Sequence, residues 1–451
     1  MSRAGDLTKG GITGTLLRFT LPMIAGALLQ QCYNIADTII VGRLIGPGAL
    51  AAVGTSYTLM VFITSIIIGL TMGSGTVFSL KFGERDDTGL KKSISAAFSL
   101  TGSITFLLII SVFCTIDPVM RWLQIPPEIS PVMKDYLWII YWGIGFIFIY
   151  NFFASILRAT GDSVTPLVWL AVSSVLNIVL DLIFIIVFGW DIKGAAAATV
   201  ISQAVSGTGL CIHTIKARPS LIPERKYWKP DLRIIRKIGA FSALTCIQQS
   251  VMNLGILSVQ GLVNSFGTTV MAAFAAAVKI DSFAYMPVQE FGNSFSTFVA
   301  QNYGAGRQDR IRKGIVNALC IMAAFSLTVS AAVFIFAGPL MRIFVNGCET
   351  GIIDTGKEYL RIEGAFYIGI GLLFMLYGYY RAVCRPAMSV ILTVLSLGTR
   401  VILSFALAPV PWIGETGIWW SIPAGWALAD VTGTVYYLWL RKKSSERVAA
   451  V

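Results

Sequence analysis

The chain has 451 residues and a formal net charge of +12, yet only 13% of its residues are charged and 55% are hydrophobic. A soluble globular protein uses about 25% charged residues, so a set of water-soluble domains is excluded, as are disorder, collagen and coiled coil. The apolar runs are apolar all round, which excludes the alternation of an outer-membrane barrel and leaves an all-α polytopic membrane protein.

Apolar windows between charged or Pro/Gly-rich breaks give twelve predicted transmembrane helices, at 15-41, 53-80, 93-116, 136-157, 164-188, 194-215, 238-263, 270-299, 314-338, 358-380, 387-409 and 416-440. The first run is longer than a signal-peptide core and contains Asp37, so no cleavable leader is expected. With the N-terminus inside, 26 Lys and Arg fall on inner segments, counting Arg18 at the inner end of the first span, six on outer ones and three elsewhere within spans. That bias predicts both termini in the cytoplasm. The basic residues are spread through short loops rather than gathered with aromatics, so they set orientation and do not bind nucleic acid. Seven cysteines are scattered without C-x-x-C spacing, which predicts neither disulfides nor zinc, only small core residues.

The two halves repeat. Arg85-Asp86 after Phe82-Gly83 is echoed by Arg307-Gln308-Asp309 after Tyr303-Gly304, and Ala51-Ala52 by Ala272-Ala273, at an offset of 221. Tyr136-Leu137 matches Tyr359-Leu360 and Arg158-Ala159 matches Arg381-Ala382, at an offset of 223. The expected architecture is therefore two six-helix pseudo-symmetric lobes around a central cleft. The N-lobe is 1-215, the cytoplasmic connector 216-237 and the C-lobe 238-451.

Ionisable groups at mid-span cost roughly 2.5 to 3.5 kcal/mol each, so each needs a partner or a function. Gln30, Asn34 and Asp37 share one stripe of the first span; Ser173, Asn177 and Asp181 share one of the fifth. Thr199, Ser202, Gln203 and Ser206 add a third stripe on the sixth span. Together they predict a hydrated pocket holding two acids. Two buried carboxyls that share a site can hold a proton near neutral pH. Alternatively, Asp37, Asp181, the Asn177 amide and the Thr199 hydroxyl supply oxygen ligands for Na+. Asp37, Asp181, Asn177, Thr199 and Asn34 are therefore the candidate cation or proton coupling residues, with the proton preferred. No other cofactor and no firm metal site is expected.

In the second half the repeat places Arg400 on Asn177 and Ser404 on Asp181, so the acid pair has no counterpart there. Lys279, Asp281, Glu290, Arg361, Glu363, Arg400 and Asp430 are charges within or near the spans, and Arg400 is expected to pair with Glu290 or Asp430. Gln30, Tyr33, Tyr141, Asn151, Tyr285 and Met286 are candidates for lining a substrate cavity, where aromatic faces and methionines suit varied flat cations. Trp419, Trp420 and Trp426 read as interfacial anchors or packing. Pro22 predicts a bend in the first span that ion binding could bias.

Tyr33-Asn34, Asp37, Val41-Gly42 and Ala49-Leu50-Ala51-Ala52-Val53-Gly54 resemble the opening motif of the multidrug and toxic compound extrusion (MATE) family. Leu157-Arg158-Ala159-Thr160-Gly161-Asp162-Ser163 followed by Thr165-Pro166 resembles its cytoplasmic signature, and Gln301-Asn302-Tyr303-Gly304-Ala305-Gly306 the matching loop of the second half. The resemblance implies a twelve-helix, two-lobe antiporter that exports organic, often cationic and aromatic, drugs against protons or sodium. It also implies that the aspartates and asparagine of the first and fifth helices form the ion site. Membrane lipid and small organic molecules are the expected partners of a monomeric protein. A flippase for lipid-linked oligosaccharide is the alternative within transporters, but its pyrophosphate calls for a more cationic cleft. An enzyme is not expected from one histidine and no catalytic constellation, nor an ATP-driven pump without a phosphate-binding loop.

Overall fold

A computed structural model describes residues 5–449 other than 123, 124, 126, 128, 230, 346 and 347. The described residues form fifteen α-helices joined by short turns, with no strand among them. The first half contains α1 (Ile12–Leu44), α2 (Pro47–Gly83), α3 (Asp87–Cys114), the short α4 (Ile116–Trp122), α5 (Ser130–Ile140), α6 (Gly143–Ala159), α7 (Val164–Leu182) and α8 (Asp191–Ala217). The second contains α9 (Leu232–Asn264), α10 (Thr268–Gly304), α11 (Gln308–Phe344), α12 (Thr350–Ala365), α13 (Tyr367–Ala382), α14 (Pro386–Leu407) and α15 (Thr416–Ala449). Every predicted span lies on one of these helices or on a consecutive pair. Among the described residues nine helices are long and apolar enough to cross a membrane, and eleven spans result if each of two bent pairs counts as one. The predicted span 416-440 is helical as α15 but falls outside that count.

The fourth and tenth spans, expected to be continuous, are broken. α5 and α6 meet at 42°, and α12 and α13 at 51°. At each break the backbone switches to tighter three-residue bonds, from Trp142 N–H to Ile139 O (3.1 Å) and from Phe366 N–H to Glu363 O (3.0 Å). Hydropathy follows only the side chains, so a change of backbone bonding inside an apolar run leaves no trace in it.

Backbone conformation carries the repeat further than side-chain identity does. Left-handed residues occur at Gly46 (φ 114°), Arg85 (φ 58°), Gly161 (φ 86°) and Asp191 (φ 46°). They recur 221 residues on at Gly267 (φ 96°) and Gly306 (φ 69°), and 223 residues on at Cys384 (φ 61°) and Gly414 (φ 54°). The turns between helices are thus duplicated even where glycine has been exchanged for a residue with a Cβ.

Contacts divide the chain into two units. The first comprises residues 5–9 and Leu17–Gln249, to which Gly304–Gly306 also belongs by its contacts; the second comprises Ser250–Tyr303 and the chain from Arg307 onward, together with Gly10–Leu16. The division runs through α9, because its N-terminal half packs on α2. A Cβ on Gly69 would lie 2.4 Å from Cys246 Cα, and one on Gly73 would lie 2.6 Å from Phe241 O. Only glycines allow this approach, and Ser242 Oγ uses it to donate to Leu70 O (2.9 Å).

Aromatic rings fill the first unit around Phe152, whose centroid lies 5.2 Å from that of Phe98 and 6.2 Å from that of Phe78. The connector docks on this unit through Trp228 against Phe98 (6.0 Å) and a Lys91–Glu224 ion pair (3.1 Å). In the second unit fully buried Trp419 stacks on Phe274 (5.5 Å) and meets Tyr359 edge-on (5.0 Å). Trp419 and Trp426 are therefore packing residues, while Trp420 is exposed. The expectation that the cysteines sit in the core is corrected: five are exposed and Cys211 and Cys246 half-buried. In a protein whose outer surface faces hydrocarbon, a small apolar thiol has no need of the interior.

Candidate functional site

α1 and α7 bring two acids together. Asp37 lies half-buried on α1 and Asp181 is fully buried near the end of α7. Their carboxyl groups face each other at side-chain hydrogen-bonding range. Two carboxylates cannot donate to one another, so this contact becomes a hydrogen bond only when one proton is shared. Asp181 stands two residues before a π-helical stretch, Ile183–Val187, that ends the span. Such wide turns leave the regular bonding ladder and often mark functional positions.

Asn177, one turn before Asp181 on the same face, is also buried. Its Nδ2 donates to Thr199 Oγ1 on α8 (3.3 Å), and that hydroxyl donates to Ala195 O (3.0 Å). The Asn177 donor is thereby engaged while its Oδ1 is left over. Asp37 Oδ1, Asn177 Oδ1 and both carboxyl oxygens of Asp181 are buried without a hydrogen-bond partner among the described residues. Among the described residues no side-chain or backbone donor meets these four acceptors. Ser173 Oγ ties α7 to α8 by donating to Ser202 O (2.9 Å), which holds the stripe in register.

Tyr33 and Tyr136 also lie within electrostatic range of both acids. Tyr136, on α5, was marked in the sequence only by its repeat partner Tyr359; its neighbourhood to the acids comes from the packing of α5 and could not be read from spacing within one helix. Asn34 is half-buried on α1 beside Asp37, whereas Gln30 is exposed.

The candidate cavity residues do not form one group. Tyr141 is corrected to a core residue: it is buried, with its ring edge-on to Phe113 (5.8 Å). Half-buried Asn151 donates through Nδ2 to Ile147 O (2.9 Å), one turn back on its own helix. Tyr285 and Met286 are half-buried in the second unit, where Tyr285 stacks on Phe374 (6.5 Å). A cavity of about 850 Å³ does exist in the first unit, but Ile45, Ala49, Ile139, Trp190 and the Asp135–Lys193 ion pair (3.0 Å) line it, and none of the candidates does.

The cytoplasmic signature is a turn rather than a binding loop. Gly161 takes the left-handed conformation after α6, and Asp162 starts α7 by accepting from Thr165 N–H (3.0 Å) and Thr165 Oγ1 (2.9 Å). Gly161 also packs directly on Gly5, where a Cβ would overlap the Gly5 carbonyl.

In the second unit, Arg400 does not meet Glu290 or Asp430 as expected. Its electrostatic neighbours are Asp281 and Glu363, both buried. Glu290 instead neighbours the buried Arg381, which donates to Asn293 Oδ1 (3.2 Å). Asp281 and Glu290 stand nine residues apart on α10, on opposite faces of the helix, and so meet different partners. Lys279 and Arg361 are exposed, the latter 5.3 Å over the Phe334 ring.

A multi-pass helical bundle with an acid pair buried between its helices, and no base paired with it among the described residues, has the construction of a membrane transporter. The MatE family model matches the chain twice, over residues 22–183 and 243–406. The chain belongs to this family of multidrug efflux transporters and is not an enzyme. The two matched stretches start 221 residues apart and end 223 apart, which are the offsets of the internal repeat.

The chain is 30% identical to the probable multidrug resistance protein YpnP of Bacillus subtilis, over 98% of both chains. It is 25% identical to the probable multidrug resistance protein NorM of Thermotoga maritima, over 90% of this chain and 87% of that one. Among solved structures, the outward-facing conformation of a multidrug resistance MATE family transporter superposes with a TM-score of 0.92 at 24% identity, over 99% of both chains. A MATE crystal structure in the bent conformation gives 0.92 at 23% identity, over the whole of both. These likenesses show the fold, the twelve-helix, two-lobe fold of MATE transporters.

Proposed function

We propose that this chain exports small organic compounds across the cytoplasmic membrane of a prokaryote by antiport, with a cation held between Asp37 and Asp181 as the coupling ion. The observation that carries this reading is the set of four buried oxygen acceptors on Asp37, Asn177 and Asp181 that meet no donor among the described residues. Burial of such a set is costly unless protons or a cation complete it. The proton is the preferred ion, because a proton alone makes the facing carboxyls hydrogen-bond; Na+ would use the same oxygens.

In the cycle, the ion enters from outside, joins α1 to α7 through the two carboxyls and leaves inside after the drug has left on the other face. Movement of one charge through 100 mV is worth about 2.3 kcal/mol, enough for roughly fifty-fold accumulation in one-for-one exchange. The excess of Lys and Arg on alternate loops supports cytoplasmic termini.

The test is ethidium efflux from cells lacking other pumps, with wild type, Asp37→Asn and Asp181→Asn compared under separate proton and sodium gradients. Export should fall to the level of pump-free cells in both variants at equal expression. Full gradient-driven export by both would overturn the assignment.

A further inference from the structure

Five polar or ionisable side chains converge in the second unit. Asp281 comes from α10, Tyr359 and Glu363 from α12, Tyr367 from the start of α13 and Arg400 from α14. Asp281, Tyr359, Glu363 and Tyr367 are all buried. The two acids neighbour each other and Arg400, Tyr359 faces Glu363, and Tyr367 faces Asp281. Asp281 Oδ1, Glu363 Oε2, the Tyr367 hydroxyl and Arg400 Nε have no hydrogen-bond partner among the described residues.

The internal repeat relates this cluster to the first. At the 223-residue offset Tyr359 falls on Tyr136 and Arg400 falls on Asn177. The copies differ in charge. Two acids in the first unit face an amide; two acids in the second face a guanidinium that remains charged at any physiological pH.

We propose that Arg400 is a resident counter-cation: its guanidinium occupies the role of an exchangeable alkali cation at Asp281 and Glu363, and so closes the second cluster to sodium. With Arg400 in place, a sodium ion would have to share the pocket with a fixed positive charge at low dielectric. Without that charge, two carboxylates and two phenols form the hard oxygen set that a small cation prefers. The inference does not depend on Asp37 and Asp181 being the coupling site, although together the two readings confine cation exchange to the first unit.

Binding of radioactive sodium to the purified full-length chain tests it, in an Asp37→Asn/Asp181→Asn background that removes the first acid pair. That background should show no saturable sodium binding. Adding Arg400→Gln should create it, further addition of Glu363→Gln should abolish it, and Arg400→Lys in place of Arg400→Gln should leave it absent. Sodium binding already present with Arg400 intact and lost with Glu363→Gln would overturn the proposal, as would an Arg400→Gln protein that unfolds cooperatively yet binds none. Should Arg400→Gln not fold, Glu363→Gln in the otherwise native chain decides: the sodium dependence of export should be unchanged, and a shifted half-saturating sodium concentration would overturn the idea. Export surviving in Asp37→Asn and Asp181→Asn would defeat only the first-unit coupling site.

Discussion

The carboxyl groups of Asp37 and Asp181 face each other across the α1–α7 contact, and neither oxygen of Asp181 meets a donor. A ligand that binds only the folded state stabilises it by about 2.7 kcal/mol at a hundredfold excess over its dissociation constant. Titration with protons or with sodium should therefore raise the thermal unfolding midpoint of the purified chain, and the coupling ion is the one that does so. The same titration of the Asp37→Asn/Asp181→Asn double variant should lack this rise, and equal shifts in both proteins would place the ion elsewhere.

Tyr136 stands within electrostatic range of both acids while its bulk is packed in the first unit. Tyr136→Phe keeps the ring and removes the hydroxyl. Export should drop several-fold with expression and unfolding midpoint little changed, as measured by ethidium efflux beside a detergent melt.

Cys384 and Arg85 adopt a left-handed backbone that their repeat partners Gly161 and Gly306 adopt without a Cβ. The cost of a side chain there is roughly 1–2 kcal/mol. Cys384→Gly and Arg85→Gly should each raise the unfolding midpoint. Gly306→Ala should lower it by a similar amount, because open space surrounds Gly306 and only the backbone effect acts.

Gly73 holds α2 against the N-terminal half of α9, with Phe241 O 2.6 Å from the position a Cβ would take. Gly73→Ala should destabilise by about 1–3 kcal/mol. Gly73→Leu should abolish folded yield on size-exclusion chromatography.

Asp86 caps α3 by accepting from Gly89 N–H (2.7 Å) and pairs with Lys81 (2.9 Å). That backbone donor, with the Lys81 ammonium, holds its carboxyl below the usual carboxylate range. A lowered folded value means the stabilisation is present above about pH 4 and is lost as pH falls through the folded value. Asp86→Ala should cost about 1 kcal/mol near neutrality. The melting difference between variant and wild type should vanish in strong acid.

The sequence by itself determined the spans, the repeat and the acids that had to be explained, because each follows from the cost of putting a group in hydrocarbon. Asp37, Asn177 and Asp181 stood out for that reason: their helical spacing gave each a face, and a charge in an apolar run is visible without any fold. Tertiary structure decided what faced what. Asp37 meets Asp181, Tyr136 joins them from a broken span, and Arg400 neighbours Asp281 and Glu363. Those outcomes depend on helix rotation and on bends of 42° and 51° at apolar positions. Such rotations are set by close packing between different helices, an interaction that one-dimensional periodicity does not contain.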